Sequence, residues 1–560
     1  MTIRLVNKRI RLLIALFALA FALALVRAAW LQAVRAHALD RLGSSQQRET
    51  VVLPARRGTI YDRTGSELAT GEPATTVWAN PRQIANPRHV AAIVADTLDL
   101  ERGRVLDALA DRSRGFVYLA RKADRRRAKA LEQRRIIGIG FYPEERRTYP
   151  EGALASEVVG YAGTDNRGLA GIELELDHAL AGHDGSETLV RDPFGRTVDV
   201  LGVDPVRNGR DVRLTIDATL QRHVEDIVRE TQRAWSAKAA TAVVLDPATG
   251  EILALAVEPG FDANEFPNVP QERQRNPAVT DTYEPGSTFK VVTLAAALET
   301  GMVEPWTEYT LPYSLKVSDR VIHDAEKRET ETMTVAEILS RSSNVGVITL
   351  ALGLGKNTLT NWIARFGFGR PTGVDFPGES RGIVLAPRRW SGSTIGNVPI
   401  GQGIAVTALQ MASTYASIAN GGVIVQPHLV QRVAGRAPTA PSRRRVISAE
   451  TAKRLTAMLR GVVEGGSGTA AKVKGYTVAG KTGTAAKPDP VRGGYSESRY
   501  VASFVGFVPA TQPRLVVLVT VDEPHGAIWG GTVAAPAFAR IAEFALPYLE
   551  IPPDAGSRDK

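Results

Sequence analysis

Ser287 and Lys290 stand three positions apart in Pro285-Gly286-Ser287-Thr288-Phe289-Lys290, so one helical turn would bring a hydroxyl and an amine to a common face. The following run, VVTLAAALETG, is apolar almost all round and predicts a buried helix from near Ser287 to Gly301. A lysine on such a helix is costly unless it is paired or neutral. A desolvated lysine beside a serine hydroxyl is what an activated nucleophile requires, and the helix N-terminus adds N–H groups and partial positive charge where an oxyanion would form. By itself the pattern is more often a helix cap followed by a snorkelling lysine.

Two further segments carry complementary chemistry. Thr334 and Glu337 have capping-box spacing and predict a short helix, which Arg341-Ser342-Ser343-Asn344 interrupts before a second helical stretch ending at Gly353 or Gly355. Such a run is an ordinary turn unless it faces Ser287. In that case Ser342 can relay a proton and Asn344 can hold Lys290 or a substrate amide. Gly480-Lys481-Thr482-Gly483-Thr484 lies in a β-patterned stretch, where alternation sends Lys481 one way and Thr482 and Thr484 the other. Gly480 and Gly483 let another backbone approach an edge strand, which could bind an extended peptide with a cation and two hydroxyls for its terminal carboxylate. The same letters, GYTVAGKT over 475–482, fit a phosphate-loop pattern. That loop needs a helix opening at the lysine, whereas here the strand pattern runs through it.

These motifs need a scaffold. Thr241–Asp246, Glu251–Val257, Tyr476–Ala485, Tyr500–Val508 and Arg514–Asp522 read as five strands, two before and three after a helical middle, with a final amphipathic helix over Ala534–Leu546. The expected fold class is α+β, a sheet flanked by helices. Residues 40–210 are polar, Arg-rich and turn-broken, with amphipathic pieces near His89–Leu109 and no spacing that defines chemistry. Gly435–Ser442 reads as a loop, and Ile551–Lys560 as a frayed tail.

The 560 residues include no cysteine, which excludes disulfide scaffolds, Cys-ligated metals and a thiol nucleophile. The net charge of +10 is a weak clue, and Arg125–Arg127 and Arg443–Arg445, with no interleaved aromatics, read as solvated faces, so nucleic acid is not an expected partner. Leu12 to Val34, preceded by Arg4, Lys8, Arg9 and Arg11, is apolar enough for one helix of about 34 Å, spanning a bilayer core of about 30 Å. Basic residues before it favour a cytoplasmic N-terminus. The alternative is a cleaved signal peptide ending near Ala36-His37-Ala38. Either one exports the bulk of the chain.

The order Ser-x-x-Lys, Ser-x-Asn, Lys-Thr-Gly is the signature of penicillin-recognising serine acyl enzymes, and at these residues the chain resembles a class B penicillin-binding protein. The resemblance extends to Arg57–Arg63 with Gly65 and Leu68-Ala69, to Arg147–Tyr161, to Gly168–Glu173 and to Thr215–Gln221. Thr280–Ser287 and Trp529–Pro536 look most like the division-specific type of Gram-negative bacteria, with the elongation type as competitor; Gly401-Gln402-Gly403 departs from the division type, which often has an aromatic between the glycines. The resemblance implies a penicillin-binding transpeptidase fold with a five-stranded antiparallel sheet, preceded by an elongated mixed pedestal and one transmembrane helix. The implied organisation is a cytoplasmic tail 1–11, an anchor 12–34, a non-catalytic dimerisation-type pedestal 35–210, a transpeptidase domain 211–550 and a tail 551–560.

It further implies that Ser287 attacks the penultimate D-alanine carbonyl of a peptidoglycan stem peptide, with Lys290 as base and Ser342 and Asn344 completing the proton network. Lys481, Thr482, Gly483 and Thr484 would hold the carboxylate of substrate or β-lactam, with the N–H groups of Ser287 and Thr484 as oxyanion hole and no metal or cofactor. Implied partners are a membrane glycosyltransferase and other division proteins, and the implied location is the inner membrane with the catalytic domain in the periplasm. The rival readings are a β-lactam hydrolase, a carboxypeptidase, a bifunctional polymerase, for which no glycosyltransferase segment is found, and a catalytically silent scaffold or sensor.

Overall fold

The computed structural model describes residues 3–33, 48–191, 197–489 and 491–555, and the chain divides into two compact units. One unit is Met1–Ala55 with His183–Asn208. It contains helix α1 (Ile3–Ala33) and an antiparallel three-stranded sheet of Arg48–Leu53, Gly185–Arg191 and Thr197–Asp204, with Gly185–Arg191 central. Within Asn7–Ala33 the most apolar 18 residues have a mean hydropathy of 2.5 and are exposed, and the helix is long and apolar enough to cross a membrane. Val34, the last residue of the expected anchor, lies outside the described residues.

The second unit is Arg56–Gly182 with Gly209–Lys560. Its centre is an antiparallel sheet of β1 (Ala239–Leu245), β2 (Ile252–Glu258), β3 (Ala479–Pro488), β4 (Tyr495–Val508) and β5 (Leu515–Asp522), in spatial order β2-β1-β5-β4-β3. These are the five expected strands, and β3 is an edge. Strands β1, β2 and β5 are apolar at nearly every position because both faces are covered. Val243, Val505, Phe507, Val516 and Leu518 enter one core, whereas Ala242, Val244, Phe504, Val517 and Val519 enter another.

The second core is closed by α2 (Ala218–Ala234) through Leu220, Val224 and Val228 and by the C-terminal helix through Phe538, whose ring meets Phe504 edge-on at 4.8 Å. The first is filled by α3 (Lys290–Glu299), α4 (Val335–Ser340), α5 (Asn344–Leu354), α6 (Ala408–Ala419) and α7 (Ala449–Glu464). The terminal helix, α8 (Ala535–Tyr548), matches the expected amphipathic segment.

Three findings differ from, or add to, the expectations. The helix expected from Ser287 opens as a 3-10 turn over Gly286–Phe289 and becomes α-helical only at Lys290, and Gly286 at the head of the turn sits at φ +55, a conformation that favours glycine. The expected frayed tail is pinned over 551–555: Ile551 is buried, Asp554 accepts from the Thr477 backbone N–H at 2.7 Å, and the Ala555 N–H reaches the Gly475 carbonyl at 3.0 Å. Residues 556–560 lie outside the described residues.

The third concerns Arg57, Arg147 and Glu173, which only the family resemblance had singled out. They converge in one buried cluster, with Glu173 accepting from Arg57 Nε at 2.6 Å and from Arg147 Nε at 2.5 Å. The Arg triplets are exposed, as expected, but Arg444 and Arg445 also donate to the carbonyls of Arg365 and Gly421.

Candidate functional site

The buried face of α3 fixes where Ser287 and Lys290 stand. Val291, Val292, Leu294 and Ala295 are wholly buried, so the helix has no rotational freedom, and the Tyr415 hydroxyl donates to the Thr288 carbonyl at 2.9 Å and clamps the opening turn. Ser287 is half-buried, while Lys290 one turn later is fully buried.

Lys290 Nζ donates to the Ser342 carbonyl at 2.7 Å and to Asn344 Oδ1 at 2.7 Å, and lies 3.2 Å from Ser342 Oγ. The Ser-Ser-Asn run therefore faces the Ser287 helix. Its geometry comes from the elements on either side. Thr334 and Glu337 form the expected capping box of α4, and Ser343 caps α5 through the Gly346 N–H at 3.0 Å. Between them Ser342 takes φ +59, a left-handed conformation unusual for a serine, and its carbonyl lies against the lysine. Asn344 is steadied from behind by donating Nδ2 to the His323 carbonyl at 2.9 Å.

On the other side, β3 runs unbroken through Lys481, with Lys481 opposite Val505 and Gly483 opposite Ser503 on β4. No helix opens at this lysine, so the phosphate-loop pattern is set aside. Lys481 is fully buried and Nζ turns back to within 3.2 Å of the Thr482 carbonyl and hydroxyl, so the strand's alternation does not keep the two side chains apart. Thr482 Oγ1 is 2.8 Å from Ser467 Oγ, and Thr484 Oγ1 accepts the Gly530 N–H at 3.1 Å. Gly483 is where the nucleophile turn meets the strand: a Cβ there would lie 2.3 Å from Ser503 Oγ and 3.0 Å from the Pro285 carbonyl. Only glycine allows that approach.

Burial lowers the Lys290 pKa to about 7, although Asp324 acts in the opposite direction. Lys481 is pushed well below the usual lysine range by burial and by the nearby Lys290. The structure thus brings together Ser287, Lys290, Ser342, Asn344 and Lys481 to Thr484, with no group of three or more His, Cys, Asp or Glu able to hold a metal among the described residues.

Sequence reasoning missed several supports. The buried Asp324 accepts from Ser343 Oγ and the Val345 N–H, each at 3.0 Å, and pairs with Arg328 at 2.7 Å. Its distance in sequence from Ser343 left no local signal. Gly401, noted only as part of a subtype motif, has φ +78, and a Cβ there would sit 2.1 Å from the Gly286 carbonyl. Gly403 donates its N–H to Glu284 Oε1 at 3.0 Å, so this loop packs directly behind the nucleophile turn.

A serine and a neutralisable lysine on a buried helix, facing a peptide-competent sheet edge, define a serine acyl-transfer enzyme. Comparison with known proteins gives the same class. The penicillin binding protein transpeptidase domain matches residues 240–543 and the penicillin-binding protein dimerisation domain matches residues 52–214. The probable peptidoglycan D,D-transpeptidase PenA of Neisseria gonorrhoeae is 34% identical, covering 98% of this chain and 94% of its own. The peptidoglycan D,D-transpeptidase FtsI of Escherichia coli K12 is 32% identical, covering 98% of this chain and 93% of its own. The crystal structure of penicillin binding protein 3 from Mycobacterium tuberculosis, complexed with aztreonam, superposes with a TM-score of 0.71 at 32% identity, covering 90% of this chain and 98% of that one. The chain belongs to the class B penicillin-binding proteins.

Proposed function

We propose that this serine-type peptidoglycan D,D-transpeptidase works through Ser287 as nucleophile and Lys290 as base. Ser287 Oγ attacks the penultimate D-alanine carbonyl while its proton passes to neutral Lys290. The oxyanion is held by the N–H groups of Ser287 and Thr484, and the C–N bond breaks as the departing D-alanine amine takes the proton. An amine from a second stem peptide then attacks the acyl ester, forming the new amide and returning a proton to Ser287. Ser342 and Asn344 hold and relay protons at Lys290. Lys481, Thr482 and Thr484 receive the terminal carboxylate, whose charge favours the protonated form of Lys481, and Gly483 keeps the strand close to the nucleophile turn. The observation that carries this reading is the Lys290 amine, buried, with its pKa lowered to about 7 and hydrogen-bonded to Ser342 and Asn344.

The finer assignments are a tail 1–11, an anchor 12–34, a pedestal 35–210, a transpeptidase domain 211–550 and a tail 551–560. The apolar helix supports single-pass anchoring in the inner membrane with the N-terminus cytoplasmic. The likeness of Thr280–Ser287 and Trp529–Pro536 to division-type relatives supports a role at the septum alongside a membrane glycosyltransferase and other division proteins.

Intact-mass measurement with benzylpenicillin tests the chemistry: one acyl group should add per chain and map to Ser287, and labelling that survives Ser287→Ala would overturn the assignment. Depletion should give filamentous cells; rounded cells would move the enzyme to the elongation role.

A further inference from the structure

In the part of the chain that matches the dimerisation domain, the strand Glu67–Ala79 is paired with Val117–Asp124 on one side and Ile139–Thr148 on the other. Strand alternation sends Val77, Ala79, Val117 and Leu119 into a core shared with the helices Pro87–Leu98 and Arg102–Ala110. The opposite face of an antiparallel sheet is normally polar where no further layer covers it. Here that face carries Trp78, Phe116 and Tyr118, with Tyr118 directly opposite Trp78. No element among the described residues covers these rings: Phe116 is 45% exposed and Tyr118 50%.

The rings form one built surface. Trp78 lies against Gly140, where a Cβ would come within 2.2 Å of the indole. Phe116 stacks on Trp78 at 5.1 Å and meets Tyr118 edge-on at 4.9 Å. Arg121 stands over the Tyr118 ring at 5.2 Å and is held there by Glu144 and Asp165, each at 2.7 Å. The loop that carries Phe116 is tied down as well: Arg82 Nη2 donates to the Ser113 carbonyl at 2.6 Å and Arg112 Nη2 to the Ile84 carbonyl at 3.1 Å. Three aromatic side chains are thus held at the surface, and a contiguous patch of this kind marks a binding face. Its surroundings are basic. Arg82 and Arg112 make no ion pair among the described residues, and residues 78–142 hold 14 Arg and Lys against 7 Asp and Glu.

A peptidoglycan strand has the chemistry that both features call for. The C–H groups on the flat face of a sugar meet the negative face of an aromatic ring, and stems that end in a D-alanine carboxylate make the strand a polyanion that guanidinium groups can hold. The rings and Ser287 lie in one compact unit, so a strand held here would present its stems to the nucleophile at a raised effective concentration. Resting on the D,D-transpeptidase reading above, we propose that Trp78, Phe116 and Tyr118 form a platform for the sugar rings of the peptidoglycan strand, with Arg82 and Arg112 receiving carboxylates of its stems.

The test uses the full-length protein in detergent, with Ser287 first acylated by benzylpenicillin so that the catalytic site is closed. The probes are soluble, uncross-linked glycan strands with their stem peptides, and the same strands stripped of stems by an amidase. Calorimetry should show both binding to wild type. The Kd should be at least about tenfold higher for the double variant Phe116→Ser with Tyr118→Ser, whose exposed positions leave the fold and the benzylpenicillin acylation rate unchanged. Raising the salt concentration should weaken the stem-bearing strands and leave the stripped ones as they were. In the unacylated enzyme the double variant should raise KM about tenfold for strand-borne stems and keep the wild-type kcat/KM for a short D-Ala-D-Ala peptide. Stripped strands that fail to bind wild type, or that bind the variant equally, overturn the platform, and equal salt dependence of the two probes overturns the part given to Arg82 and Arg112. A wild-type dimer in sedimentation that the variant lacks and that stripped strands do not disperse would assign the rings to a second copy of this chain and overturn the proposal. If wild type releases D-alanine from neither substrate while benzylpenicillin still labels Ser287, the transpeptidase reading falls, and the platform's role in it falls too.

Discussion

At the scale of the residue, Lys290 must be neutral to take the Ser287 proton, and its pKa of about 7 makes that condition sensitive near neutrality. The sign follows directly. As pH falls through 7 the lysine gains a proton and acylation should fall with it, whereas above 7 the rate should level off. A rate that rises on acidification would refute the base. Lys290→Arg should lose about 10² to 10⁴ in the second-order acylation constant, close to Lys290→Ala, because a guanidinium stays protonated. An active Arg variant would mean that the position supplies charge and not basicity, and Ser342 would become the base. The serine and lysine were legible in the sequence because one helical turn relates them. Burial lowers both lysines, but the charge acting on each differs: Lys290 lowers Lys481 further, whereas Asp324 opposes the lowering of Lys290. Asp324 and Glu284 were not legible, since each acquires its partners only through tertiary contact.

At the scale of the element, the site depends on how closely a 3-10 turn and a sheet edge can approach. The strands were legible because a sheet buried on both faces writes continuous apolar runs, and the boundaries of β3 and β4 were blurred because their outer ends project past the core. The 3-10 opening was not legible, because the positive φ of Gly286 is set by packing against Thr484 and Gly401 rather than by its neighbours in sequence. Gly483→Val offers the direct test. Its side chain would collide with Ser503, Thr288 and the Pro285 carbonyl, so either β3 or the nucleophile turn must shift. A displacement of about 1 Å can cost about 10² in rate, so penicillin acylation should drop at least that far while the variant stays folded by circular dichroism. Acylation within threefold of wild type would show that the turn and the strand tolerate separation.

At the scale of the whole molecule, segments far apart in sequence share one core and one sheet. Tyr149, Leu154, Val158 and Ile172 pack into the same cluster as Val243, Phe289 and Leu294. Ile60–Tyr61 pairs in parallel with Val212–Leu214, which pairs in turn with Val430–Val433. The cluster of Arg57, Arg147 and Glu173 lies beside this junction: Arg57 also binds Asp177 at 2.6 Å, and Arg147 also donates to the Gly58 carbonyl at 2.9 Å. Arg57 and Glu173 have side chains fully shielded from solvent. Removing the shared carboxylate would leave Arg147 buried with no counter-charge and Arg57 with Asp177 alone, a loss of about 3 to 5 kcal/mol. Glu173→Ala should therefore lower the denaturant midpoint of the full chain substantially. Because the core is continuous, tryptophan fluorescence and penicillin labelling of Ser287 should disappear together in one transition. A shift below about 1 kcal/mol, or labelling that outlasts the fluorescence change, would mean that the segment carrying Arg57, Arg147 and Glu173 folds independently of the acyl-transfer site.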